Sequence, residues 1–85
     1  MGRYMGQEIY RQGLIAHTTL QGNSVVAELD HCDDFAMAIF EMNLQMSYPD
    51  AQIVVAETKY KPLTTKIVKI HFSNPEDALH FVLSH

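Results

Sequence analysis

Eighty-five residues, of which 47% are apolar and 19% charged, make one small globular domain and exclude a disordered chain. The net charge of −4 weighs against a general binder of nucleic acid or anionic membranes. Cys32 is the single cysteine, so no internal disulfide forms and a reducing compartment is the natural setting.

The chain has no apolar run near the ~20 residues that span a bilayer, and no apolar signal-peptide core follows its start. Met1-Gly2 begins like an acylation signal, but Gly6 stands where Ser or Thr is needed. The expected protein is soluble and cytoplasmic. A domain this short buries only about 60–65% of the surface its unfolded chain exposes, so its stability margin is thin. Association, as a homodimer or with another protein, would add to that margin.

Residues 1–12 give little pattern. Gly2 and Gly6 interrupt them, Gly13 follows, and Tyr4, Met5, Ile9 and Tyr10 supply most of their apolar content. A flexible arm or an extra strand is expected there. Residues 14–29 read as a hairpin. Gly22-Asn23 supplies a two-residue turn with Gly at the position where a type II′ turn needs positive φ. Pairing Gln21 with Ser24 sets Leu20 opposite Val25, Thr18 opposite Ala27 and Ala16 opposite Leu29 on an apolar side. Ile15 then faces Asp30, His17 faces Glu28 and Thr19 faces Val26 on a mixed side, as in a half-buried antiparallel pair. Asp30 or Asp33 is placed to cap the helix that follows.

That helix, residues 35–46, holds nine apolar residues in twelve and neither Gly nor Pro. Asp34, Glu41 and Gln45 form a narrow polar stripe. Phe35, Ile39, Met42 and Met46 lie opposite it, which makes Met37, Phe40 and Leu44 a surplus flank. The apolar arc spans roughly 260°, against the ~100° that a surface helix needs. One sheet cannot cover so much, so the N-terminal segment, a second copy or a partner has to share it. Asn43 lies inside the arc and needs hydrogen-bond partners. The helix should end near Ser47, because Pro49 disfavours helix at Tyr48.

Residues 52–72 read as a second hairpin, with strands 53–60 and 66–72 joined around Pro62-Leu63-Thr64. The expected register sets Val54 opposite Phe72, Ala56 opposite Ile70, Thr58 opposite Val68 and Glu57 opposite Lys69. Asn74, Pro75 and Asp77 then start a second helix as cap, first helical residue and capping-box partner. Ala78, Leu79, Phe81, Val82 and Leu83 are its expected buried face. The order ββαββα predicts a two-layer α+β fold, a four-stranded, mainly antiparallel sheet with both helices on one face.

The sheet face away from the helices would carry Ile15, Val26, Ile53, Val55 and Ile67 among polar residues. This patch, or the helix flank Met37, Phe40 and Leu44, is the first candidate site, because exposed apolar patches mark contacts with other proteins. The competing explanation is coverage by the N-terminal arm. The expected function is that of a non-enzymatic interaction module, an adaptor, regulator or inhibitor that binds another protein. The alternative is a nucleic-acid-binding module. Lys59, Lys61, Lys66 and Lys69 place four of the six basic residues in the second hairpin, where with Tyr60 they would track a backbone and stack a base. Lysines there equally keep a sheet edge soluble, and the aromatic spacing of an RRM strand is absent.

His31-Cys32-Asp33-Asp34 gathers a base, a thiol and two acids at a helix start, where a thiol can be acidified. Neighbours on a strand point to opposite faces, so His31 and Cys32 do not pair, and a lone cysteine is commonly just buried. His17, Glu28 and His71 share the expected outer face without zinc-type spacing, and His80 and His85 stand five apart on a helix. The glycines at 2, 6, 13 and 22 form no phosphate loop. No catalytic residue, metal or cofactor is expected.

Overall fold

The computed structural model describes residues 15–84, and the expectation for residues 1–12 lies outside them. The elements are β1 (Ile15–Gln21), β2 (Ser24–Asp30), α1 (Asp34–Ser47), β3 (Gln52–Lys59), β4 (Thr65–His71) and α2 (Pro75–Ser84). The strands form one α+β sheet in the order β1-β2-β4-β3, with every neighbouring pair antiparallel. Both helices lie on one face.

The first hairpin turns at Gly22, whose φ of 64 lies where a side chain would be strained. Its register is the expected one from Gln21–Ser24 to His17–Glu28. Beyond that, a bulge at Ala16 puts Ile15 opposite Leu29, so Ile15 packs against the core and not on the outer face. The second hairpin departs further. Ile53 pairs with Ile70, Val54 with Lys69 and Val55 with Val68, three residues from the expected register. An odd shift turns each side chain over, so Ile53 and Val55 stand on the helix side and Val54 on the open side. A bulge at Ala56 reduces the shift to two, which returns Glu57 and Lys59 to the open face. Glu57 faces Ile67, not Lys69. The bulges fall on β1 and β3, the two edge strands, where such irregularities discourage pairing with another sheet.

Val25, Ala27 and Leu29 of β2 pair with Ile70, Val68 and Lys66 of β4, and the five apolar members are fully buried. Ala36, Met37, Phe40 and Leu44 of α1, with Ala78 and Phe81 of α2, close the core from above. Phe40 meets Phe81 edge-on at 6.5 Å between ring centres, and Phe72 stands 5.6 Å from Phe81. Tyr48 packs its ring on Phe72 at 5.1 Å and hydrogen-bonds His80 Nδ1 through its hydroxyl. α2 lies over β1 and β2. Its cap is as expected, Asn74 Oδ1 accepting from the Asp77 N–H at 2.8 Å while the Asn74 amide donates to Asp77 Oδ2 at 3.3 Å. Of its expected buried face, Ala78 and Phe81 are buried and Val82 is half-buried, but Leu79 and Leu83 are exposed.

The orientation of α1 reverses the expected one. Met37, Phe40 and Leu44, read as surplus, are its core face, so they offer no surface to a partner. Phe35, Met42 and Met46 are exposed, Ile39 is half-buried, and Asn43 faces solvent. Two contacts set this rotation. Lys66 Nζ, rising from the buried side of β4, donates to Asp34 Oδ1 at 3.1 Å, and Phe40 meets Phe81. Ala36 is buried in the first turn beside these contacts. Residues two positions apart should therefore respond differently. Leu44→Ala should cost about 2–5 kcal/mol of unfolding free energy. Met46→Ala should stay within about 0.5 kcal/mol of the wild type. Chemical denaturation of both variants checks this.

Candidate interaction surface

α1 starts at Asp33, whose carboxylate accepts the Ala36 N–H at 2.8 Å, and ends at Tyr48, whose N–H donates to the Leu44 carbonyl at 2.8 Å. Between them Phe35, Ile39, Met42 and Met46 follow one another at intervals of four, three and four residues. That is the spacing of a coiled-coil seam, one narrow stripe running about 16 Å along the helix. Phe35 is 73%, Met42 58% and Met46 78% exposed, so no described element covers the stripe. Beside it lies a shallow concavity of about 400 Å³ lined by Ala38, Glu41, Met42, Gln45 and Met46. The concavity exists because Ala38 is small among longer neighbours. Asp33, Asp34, Glu41, Asp50, Glu76 and Asp77 belong to the two helices and the turns beside them, where no described residue is Lys or Arg.

The open sheet face is different in kind. Its cross-strand rows read Gln21, Ser24, His71 and Gln52; then Thr19, Val26, Lys69 and Val54; then His17, Glu28, Ile67 and Glu57; then Asp30, Thr65 and Lys59. Val26 and Ile67 are half-buried and Val54 is exposed, each beside a polar or charged neighbour. Of the residues expected to form an apolar patch here, only Val26 and Ile67 meet on this face. Ile15 and Ile53 are half-buried on the other, where Val55 is exposed near the β3 edge. Ser24 Oγ hydrogen-bonds His71 Nδ1 at 2.8 Å, and Thr65 Oγ1 donates to Asp30 Oδ1 at 3.1 Å. Asp30 thus braces the sheet and does not cap α1.

The four lysines of the second hairpin do not act as a group. Lys59, Lys61 and Lys69 are exposed, as is Tyr60, while Lys66 is buried beneath α1 and paired with Asp34. Glu57 shares the open face with Lys59 and Lys69. Among the described residues no three His, Cys, Asp or Glu side chains converge on a metal-sized site.

His31 has a positive φ of 54 and is exposed, a conformation that histidine adopts more readily than most residues. The kink sends Cys32 inward, where it is fully buried and its N–H donates to the Thr64 carbonyl at 2.9 Å. Burial pushes the Cys32 thiol above its usual 9.0. The Lys66 ammonium opposes the rise, and Asp33 and Asp34 reinforce it. The thiol is therefore not activated, although it stands at a helix start.

No protein-family model, curated protein or solved structure matches the chain. No helix among the described residues is long and apolar enough to cross a membrane.

The outer stripe of α1 was present in the sequence as a 4-3-4 spacing, but that spacing equally fits a core face. Burial raises the Tyr48 hydroxyl as well as the Cys32 thiol, with the Asp77 charge adding to the Tyr48 shift. A raised group of this kind contributes stability that is intact below its unfolded value, here 9.0 and 10.0. The contribution is lost as pH rises through those values, because the unfolded chain ionises first. Unfolding free energy should thus fall with pH above about 9. Cys32 should react with a thiol reagent at least roughly tenfold more slowly in the native chain than in denaturant. Equal rates would place the thiol at the surface.

Proposed function

We propose that the protein works by binding another protein through the outer face of α1, as a small adaptor, regulator or inhibitor. The observation that supports this reading is the exposed stripe Phe35, Ile39, Met42 and Met46, with a seam spacing and no described element upon it. An apolar stripe in water contributes nothing to the fold that exposes it, and such patches commonly serve contacts. Methionine suits the role, because its unbranched, polarisable side chain adapts to a partner's surface. The free, buried Cys32 fits action in a reducing, cytoplasmic setting.

The open sheet face supports a weaker version of the same reading. Its valines and isoleucine are separated by Glu28, Glu57, Lys69 and histidines, so no dry centre forms on it. The nucleic-acid alternative rests on Lys59, Lys61, Lys69 and Tyr60 alone, since Lys66 is occupied within the core.

The double variant Met42→Glu, Met46→Glu tests the α1 face, with Val54→Glu as the control on the open sheet. All three positions are exposed, so both variants should keep the wild-type circular dichroism and melting temperature. The double variant should lose partners retained from a native lysate after nuclease treatment and a high-salt wash, while the control keeps them. Removing two central apolar contacts should weaken such a complex by about 10–100-fold. Retention by the double variant and loss by Val54→Glu would transfer the function to the sheet.

A further inference from the structure

Ala38, Glu41, Met42 and Gln45, four of the five residues lining the concavity on α1, stand at i, i+3, i+4 and i+7. Four residues so spaced form the hole into which one side chain of a facing helix inserts when two helices pack knobs into holes. Ala38 forms its low side and Met42 joins it to the exposed seam. The wall opposite Met42 ends in the Glu41 carboxylate, which no described cation meets, whereas Asp34 on the same flank is paired with Lys66. Elsewhere the helix layer carries Asp33, Asp50, Glu76 and Asp77, without a described Lys or Arg outside the core.

We infer that the partner element is an amphipathic helix with one apolar stripe and Lys or Arg along its edge, its apolar knob seated between Ala38 and Met42 and its cation beside Glu41. This rests on the reading of α1 as a protein-binding face. The hole asks for a helix, since a strand or loop presents no knob at matching intervals. Charge asks for a basic one, because two copies of this chain would bring two acidic layers together, and like charges across an interface oppose association.

Two synthetic helical peptides, identical in their leucine stripe but flanked by lysine in one and glutamate in the other, test the inference by fluorescence anisotropy against the full chain. The lysine peptide should bind at least roughly tenfold more tightly at low salt, and the gap should narrow as salt rises. Ala38→Leu, an exposed helix position that tolerates leucine, fills the hole and should weaken binding of the lysine peptide about tenfold without changing the melting temperature. Glu41→Lys should reverse the preference between the peptides.

Equal binding of both peptides, sensitive to Ala38→Leu, would overturn the basic partner and leave the α1 interface standing. Binding unaffected by both Ala38→Leu and Met42→Glu would overturn the interface as well. If neither peptide binds, the inference fails, and solution mass then separates the remaining readings. A dimer dissociated by Met42→Glu makes a second copy the occupant in place of a basic helix.

Discussion

Lys66 is the one lysine on the buried side of the sheet, and its amine leaves the core by reaching Asp34 at 3.1 Å. An ammonium cannot stay in an apolar interior without a counter-charge, so the first turn of α1 has to stand where its carboxylate can meet the end of that side chain. The four-carbon stem packs in the core while the charge sits at its rim, next to an Asp34 that is open to water. Once the first turn is fixed, the 3.6-residue period fixes the rest. Phe40 and Leu44 face the sheet, Glu41 and Gln45 lie to one side, and Phe35, Met42 and Met46 face outward. The pair's own energy is modest because Asp34 is fully exposed. Its importance is geometric.

The size of the chain explains why the outward stripe stays bare. A four-stranded sheet offers one face to two short helices, and that face is already filled by Val25, Ala27, Leu29, Val68 and Ile70 below and by Phe40, Leu44 and Phe81 above. A third layer would be needed to cover α1 from outside, and residues 15–84 supply none. The apolar surface on the helix therefore exceeds what the described fold can use. Excess of this kind is not neutral, since it raises the tendency to aggregate. Its persistence as a regular seam, with polar Asp34, Glu41 and Gln45 confined to one flank, is what gives the binding reading its weight.

Much of the architecture was legible because local chemistry was unambiguous. Gly22-Asn23 fixed one hairpin, Asn74-Pro75 and Asp77 fixed the start of α2, and Pro49 ended α1. The departures have separate causes. Ala16 and Ala56 mark the two bulges, and alanine is equally at home on either face, so neither leaves a break in the alternation. At β3 the bulge added one residue to a two-residue shift already set by the long loop, and that odd total turned Ile53 and Val55 over. The rotation of α1 was hidden for the opposite reason. An apolar arc of roughly 260° contains several directions that satisfy a core, and only tertiary contacts choose among them. Lys66 was hardest of all. Read as one of four clustered lysines it suggested a basic surface, whereas its position alternating with Val68 and Ile70 was the signal that it points inward.

Removing Lys66 from the surface changes the electrostatic picture. The exposed lysines, Lys59, Lys61 and Lys69, belong to the hairpin that forms one edge of the sheet, and the helix layer is left with carboxylates alone among its described charged groups. The charges of the described residues are thus not spread evenly, with an acidic helical side and a mixed sheet side, which is a direction as well as a magnitude. Fields of this sort orient an approaching cationic partner before contact and turn away an acidic one, acting mainly on the rate of encounter. Apolar seams alone discriminate poorly, because any stripe of leucines fits another. On the proposed reading, the Glu41 carboxylate on one flank would give the seam of α1 a preferred sign of partner and a preferred side for its cations.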